Sequence, residues 1–139
     1  MNTRRLGFVV SMSNVVNLDI DIIGMDEDSR IKYIEYGYKM GDVYKTSKAY
    51  KCHLNDIRLY PHKKKDAYIF AKKHITFSNN WVYVEIEDVD LYGRALIKMY
   101  DLVTGKSFNK QMRKMKYGYR YKECKPRINA EEYFYEKIQ

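Results

Sequence analysis

At 139 residues the chain is sized for one domain whose hydrophobic core needs no disulfide or metal staple, which disfavours a multidomain enzyme. With 45% hydrophobic and 32% charged residues, seven glycines and two prolines, it is not disordered, collagen-like or low in complexity. The net charge of +8 lies almost wholly in the second half, where residues 61–139 carry seventeen Lys/Arg against ten Asp/Glu, compared with nine against eight over residues 1–60; that field suits nucleic acid, an anionic membrane surface or an acidic protein patch.

The apolar stretch Leu6 to Val10 is too short for a signal peptide or a bilayer span, so neither export nor a membrane segment is expected. Residues 6–23 alternate between apolar and small polar side chains, with Leu6, Phe8 and Val10 on one parity, and predict two strands with a turn around Ser11 to Asn14. Met25 to Arg30 is acidic and reads as a turn. Arg30 to Tyr38 alternates again, and Gly37, Gly41 and Asp42 mark a bend before a strand within Ala49 to Tyr60 that enters a loop at Pro61.

Beyond Pro61 the pattern changes to a short helix around Asp66 to Lys73. Trp81 to Asp88 is the clearest strand, with Val82, Val84 and Ile86 on one face and Trp81, Tyr83, Glu85 and Glu87 on the other. Tyr92 to Tyr100 predicts a further strand, and Asp101 to Ser107 turns through Gly105. Phe108, Met112 and Met115 recur at helical spacing, predicting an amphipathic helix from Ser107 to Tyr117. After a break at Pro126, Asn129 and Glu132 form a capping pair for a terminal helix, so residues 126–139 read as a helical extension of a single domain spanning 1–139. The order strands, helix, strands, helix without long crossovers fits an α+β fold, a small barrel plugged by a helix, better than a parallel sheet.

Cys52 and Cys124 show no C-x-x-C spacing, and the default is a reduced chain inside the cell, in cytoplasm or nucleus. His53, His62 and His74 fall into no metal-ligand pattern, and phosphate-loop and nucleophile-elbow signatures are missing.

From Asp90 to Tyr121 the text resembles the staphylococcal-nuclease-like family. Tyr92, Gly93 and Arg94 match its YGR strand start, Phe108, Asn109 and Met112 its helix opening, and Tyr117, Gly118, Tyr119 and Tyr121 its tyrosine-bearing tail. The resemblance implies an OB-type five-stranded barrel with helices. Active members carry an Asp-Gly-Asp-Thr-like segment on the first hairpin and a strand ending Arg-Leu-x-x-x-Asp-x-Pro-Glu, which hold calcium and a general base candidate. Here the first segment resembles Ser13, Asn14, Val15 and Val16. For the second, either Asp56 matches the aspartate and Lys51 the arginine, or His53 matches the arginine and Arg58 stands at the aspartate; the glutamate becomes Leu59 or Pro61. Hydrolysis through calcium needs several oxygens around a hard cation and an activated water, whereas Arg94 alone can clamp a phosphate.

The expectation is therefore an inactive nuclease-like domain with no cofactor. If the chain is active, calcium and relocated carboxylates are implied, with Arg94, Asp56, Asp19, Asp21 and Glu87 as candidates. Binding of DNA or RNA, possibly single-stranded, is expected from the run Lys106 to Arg127, which holds nine basic residues against one acid. The candidates are Arg94, Lys110, Arg113, Lys114, Lys116, Tyr117, Tyr119, Arg120, Tyr121 and Lys122, since basic grooves with interleaved aromatic rings bind single strands. The alternative is a scaffold that docks a protein partner or forms a homodimer. Membrane binding is not expected, because the basic residues do not face a long apolar helical stripe.

Overall fold

A computed structural model describes residues 4–22, 49–91 and 93–122. Its elements are β1 (Arg4–Asn14), β2 (Asn17–Ile22), β3 (Tyr50–Leu54), β4 (Arg58–Leu59), a 3-10 turn at Pro61–Lys63, α1 (Lys64–Phe77), β5 (Trp81–Val89), β6 (Ala95–Asp101), α2 (Phe108–Lys114) and β7 (Gly118–Tyr119). Five strands close a barrel in the order β1-β2-β3-β6-β5, and β4 pairs with β7 in a separate ribbon. All neighbours in the barrel are antiparallel except β3 and β6. The fold is α+β, an OB-type barrel with two helices, as expected from the order of elements.

Alternation fills the barrel. Val82, Val84 and Ile86 of β5 point inward beside Val9, Ile20, Ile22, Leu54, Ile97 and Met99, all 3% exposed or less. On β1 the inward parity belongs to Gly7 and Val9. Leu6 and Phe8 instead cover Trp81 on the outside, with the Phe8 and Trp81 rings edge to face at 5.3 Å. β1 serves two partners by coiling: its first half pairs with β5, its second with β2, and register shifts between Val9 and Ser11 and between Met12 and Asn14 absorb the bend. A Cβ on Gly7 would lie 2.8 Å from Ile20 Cγ2, so this close approach requires glycine.

The first turn falls at Val15 and Val16, not at Ser11 to Asn14. Asn14 explains the difference, since its Oδ1 accepts from the Val16 and Asn17 amides at 3.0 and 3.1 Å, a side-chain-closed turn that lets two valines bury themselves. Helix α1 is longer than expected and packs through Ala67, Ala71 and Ile75. Asn79 and Asn80, both at positive φ, end its C-terminal turn, and Asn80 exchanges hydrogen bonds with Val9.

Helix α2 starts at a Ser107 cap and stops at Lys114, three residues before the expected Tyr117. Lys116 adopts φ 61° while its amide reaches Arg113 O and that of Tyr117 reaches Met112 O, the double bond pattern that ends a helix. The strand expected from Tyr92 begins at Ala95. The expected acidic turn at 25–30, strand at 30–38, break at Pro126 and terminal helix lie outside the described residues. Among the described residues no helix is long and apolar enough to cross a membrane.

Candidate functional site

The site forms where β2 begins, β3 ends and β6 is about to begin. Pairing of β2 with β3 sets Asn17 opposite His53, and β3 in turn sets Cys52 opposite Ala95, next to Arg94. The β5–β6 connection is closed by Asp90, whose backbone exchanges bonds with Gly93 and Arg94 and whose Oδ1 accepts from the Arg94 amide at 2.9 Å. Gly93, at φ 81°, makes that tight turn possible.

Arg94 is thereby fixed. Its Nε donates to Asp90 Oδ2 at 2.6 Å, with the Asp90 side chain 2% exposed, and its Nη1 donates to Asn17 Oδ1 at 3.0 Å. Asn17 Oδ1 also lies 2.9 Å from His53 Nδ1, so one amide oxygen takes two donors and the imidazole proton is assigned to Nδ1. Arg94 keeps 27% of its side chain exposed toward a pocket of about 510 Å³.

The far wall is the β4–β7 ribbon, which sets Arg58 opposite Tyr119. Gly118 lets the two strands meet, because a Cβ there would stand 2.6 Å from Arg58 O. The Arg58 guanidinium lies 3.6 Å over the Tyr121 ring, and the Tyr119 ring is 5.0 Å from that of Tyr60. The carbonyl of Asp56 accepts from both Arg113 Nη1 and the Tyr121 amide, each at 3.3 Å. Lys64, in the first turn of α1, completes the rim. The pocket thus holds three cations, Arg58, Lys64 and Arg94, and one carboxylate, Asp90, which is engaged by Arg94.

The other acidic candidates go elsewhere. Asp19 binds Ser11 Oγ at 2.7 Å, Asp21 is buried, and Asp56 contributes its backbone to a turn at φ 61°. Glu87 holds Asn55 at 3.0 Å and Lys98 at 3.2 Å; that hydrogen bond and the Glu87 charge raise the Lys98 pKa above its ordinary value. None of these four carboxylates lines the pocket. Among the described residues there is no group of three or more His, Cys, Asp or Glu that could hold a metal ion.

The basic run is divided. Tyr119 and Tyr121 line the pocket, with Arg120 and Lys122 exposed between and beyond them. Arg113 ties α2 to the Asp56 turn, and Tyr117 is half-buried against the core beside Phe70. Lys110 and Lys114 face a different hollow, while Lys116 is exposed at the helix end. Lys125 and Arg127 lie outside the described residues. Asn17 is the residue that sequence reasoning missed. Its signal was Asn14, whose turn-forming habit moves the hairpin tip two residues on. The chain matches no model of a known protein family, and no curated protein matches it.

Proposed function

We propose that the protein is a staphylococcal-nuclease-like domain that binds nucleic acid by seating a phosphate against Arg94 and does not hydrolyse it. The pocket's charge carries this reading: three cations converge around a single carboxylate that Arg94 already engages. A guanidinium held at Nε and Nη1 keeps its planar fork in one orientation before a ligand arrives, which lowers the ordering cost of phosphate recognition. Tyr119 and Tyr121 add rings beside the charge, and a base stacked on such a ring is worth roughly 1–3 kcal/mol. Where the resemblance implies acidic residues on the first hairpin, this hairpin brings the amides of Asn14 and Asn17 to the pocket. Amides orient an arginine but contribute no anionic charge for a hard cation and no base for water.

The test is a titration of labelled single-stranded DNA and RNA at several salt concentrations, with a cleavage assay in calcium, magnesium and manganese. Affinity is expected to fall linearly on logarithmic axes, and Arg58→Ala with Lys64→Ala to cut the slope by about 1.4, near 0.7 for each phosphate released. Absence of binding at low salt overturns the reading. Divalent-dependent cleavage that Arg94→Ala abolishes overturns its non-hydrolytic part.

A further inference from the structure

A second hollow, of about 540 Å³, lies between α1 and α2. Its floor is apolar, with Phe70 from α1 and Met115, 42% exposed, from the end of α2. Its rim is cationic: Lys106, Lys110 and Lys114 recur every fourth residue, all exposed. On α2 that interval sets Lys110 and Lys114 on one side, about 6 Å apart along the axis. Asp101, the acid nearest this rim, is 6% exposed, pairs with His74 Nδ1 at 3.1 Å and closes the β6 turn through the Val103 and Thr104 amides.

The hollow is joined to the Arg94 pocket by a succession of rings. Tyr119 of the pocket touches Tyr60 at 5.0 Å, the Tyr60 amide bonds Tyr117 O at 3.0 Å, Tyr117 lies 6.1 Å from Phe70, and Phe70 lies 4.6 Å from His74. Along α1, Lys64 of the first pocket and Phe70 of the second are six residues, or about 9 Å, apart. An extended strand with its phosphate at Arg94 would thus reach the lysine row within a few nucleotides. The row has the charge to neutralise successive phosphates, and the apolar floor has the surface to cover an unstacked base.

We propose that the α1–α2 hollow is a second subsite for the same single strand, so that the protein engages several consecutive nucleotides across two pockets joined by aromatic side chains. This inference rests on the nucleic-acid reading of the Arg94 pocket. It adds that affinity depends on strand length and that Lys110 and Lys114 create this dependence.

Binding of single-stranded oligonucleotides of two, four, six and eight nucleotides separates the two claims. Affinity should rise about tenfold or more between two and six nucleotides and then level off. In the double variant Lys110→Glu with Lys114→Glu, checked for folding by circular dichroism, the dinucleotide should bind within about twofold of wild type. The hexanucleotide should fall to the dinucleotide's level, with a salt slope smaller by about 1.4. Length-independent binding, or a length dependence that survives the double variant, overturns the second subsite and leaves the first pocket standing. Failure of every oligonucleotide to bind overturns both. Binding of a Glu-rich peptide to wild type but not to the double variant, without length dependence on oligonucleotides, assigns the hollow to an acidic protein segment instead.

Discussion

Two asparagines, Asn17 and Asn109, each tie together elements far apart in the chain, with opposite consequences. Asn109 is 3% exposed on the inner face of α2; its Oδ1 accepts from the Met99 amide at 3.0 Å and its Nδ2 donates to Asn55 O and Ile97 O at 2.9 and 3.0 Å. These bonds end on the backbone of β6 and of the turn after β3. The bonds of Asn17 end on Arg94 and His53, side chains that line a pocket. An amide whose partners are all buried backbone stabilises the fold. One that steadies a partly exposed guanidinium serves a ligand at small structural cost.

Substitution at Asn109 should give the largest effect. Asn109→Leu leaves one buried amide and two carbonyls without that partner, at about 3 kcal/mol or more, read as a lowered denaturant midpoint. Oligonucleotide affinity of the fraction that remains folded should be unchanged; a selective loss of binding would erase the contrast between the two asparagines. Asn17→Asp should do the reverse, weakening oligonucleotides about tenfold by putting a second anion beside Arg94, while stability stays within about 0.5 kcal/mol.

A third effect separates the interior from the pocket by pH. Cys52, adjacent to His53 on β3, is 1% exposed, and burial, with the charge of Asp19 second, pushes its thiol well above the ordinary 9.0. The unfolded chain then releases that proton first, so stability is full below pH 9.0 and declines as pH rises beyond it. Chemical denaturation between pH 8 and 10.5 should show the decline, and Cys52→Ala should flatten it. Lys98, raised by its hydrogen bond to Glu87 and by the Glu87 charge, adds a loss of the same sign above its ordinary 10.5. The smallest effect is expected from Lys116→Gly, which relieves a side chain at φ 61° and should stabilise by about 0.5–1 kcal/mol without altering binding.

The barrel was legible because alternation survives in β5 and because the missing crossovers point to antiparallel neighbours. Arg94 was legible from its YGR setting. Asn17 and His53 were harder: they are 36 residues apart, carry no charge signal, and meet only through the β2–β3 register. The basic run was legible as a sum but not as a distribution. Helical spacing alone separates Lys110 and Lys114 from Arg113, yet only the packing of α2 on the barrel shows that the latter reaches the Asp56 turn. The Gly118 contact was hidden because it depends on the two-residue β4 arriving from sixty positions earlier.

The two-sided pairing of β1 also governs how the chain reaches its fold. Arg4 meets Glu85 across 81 positions, and the barrel closes on that seam. During synthesis β1 and β2 can join as a local hairpin, but the other flank of β1 has no strand to receive it until β5 has emerged. Folding dominated by such distant pairings is slow. The nascent chain therefore carries an open, half-apolar strand edge through most of its translation, the interval in which a chaperone, or a second nascent copy, has its best access to the molecule.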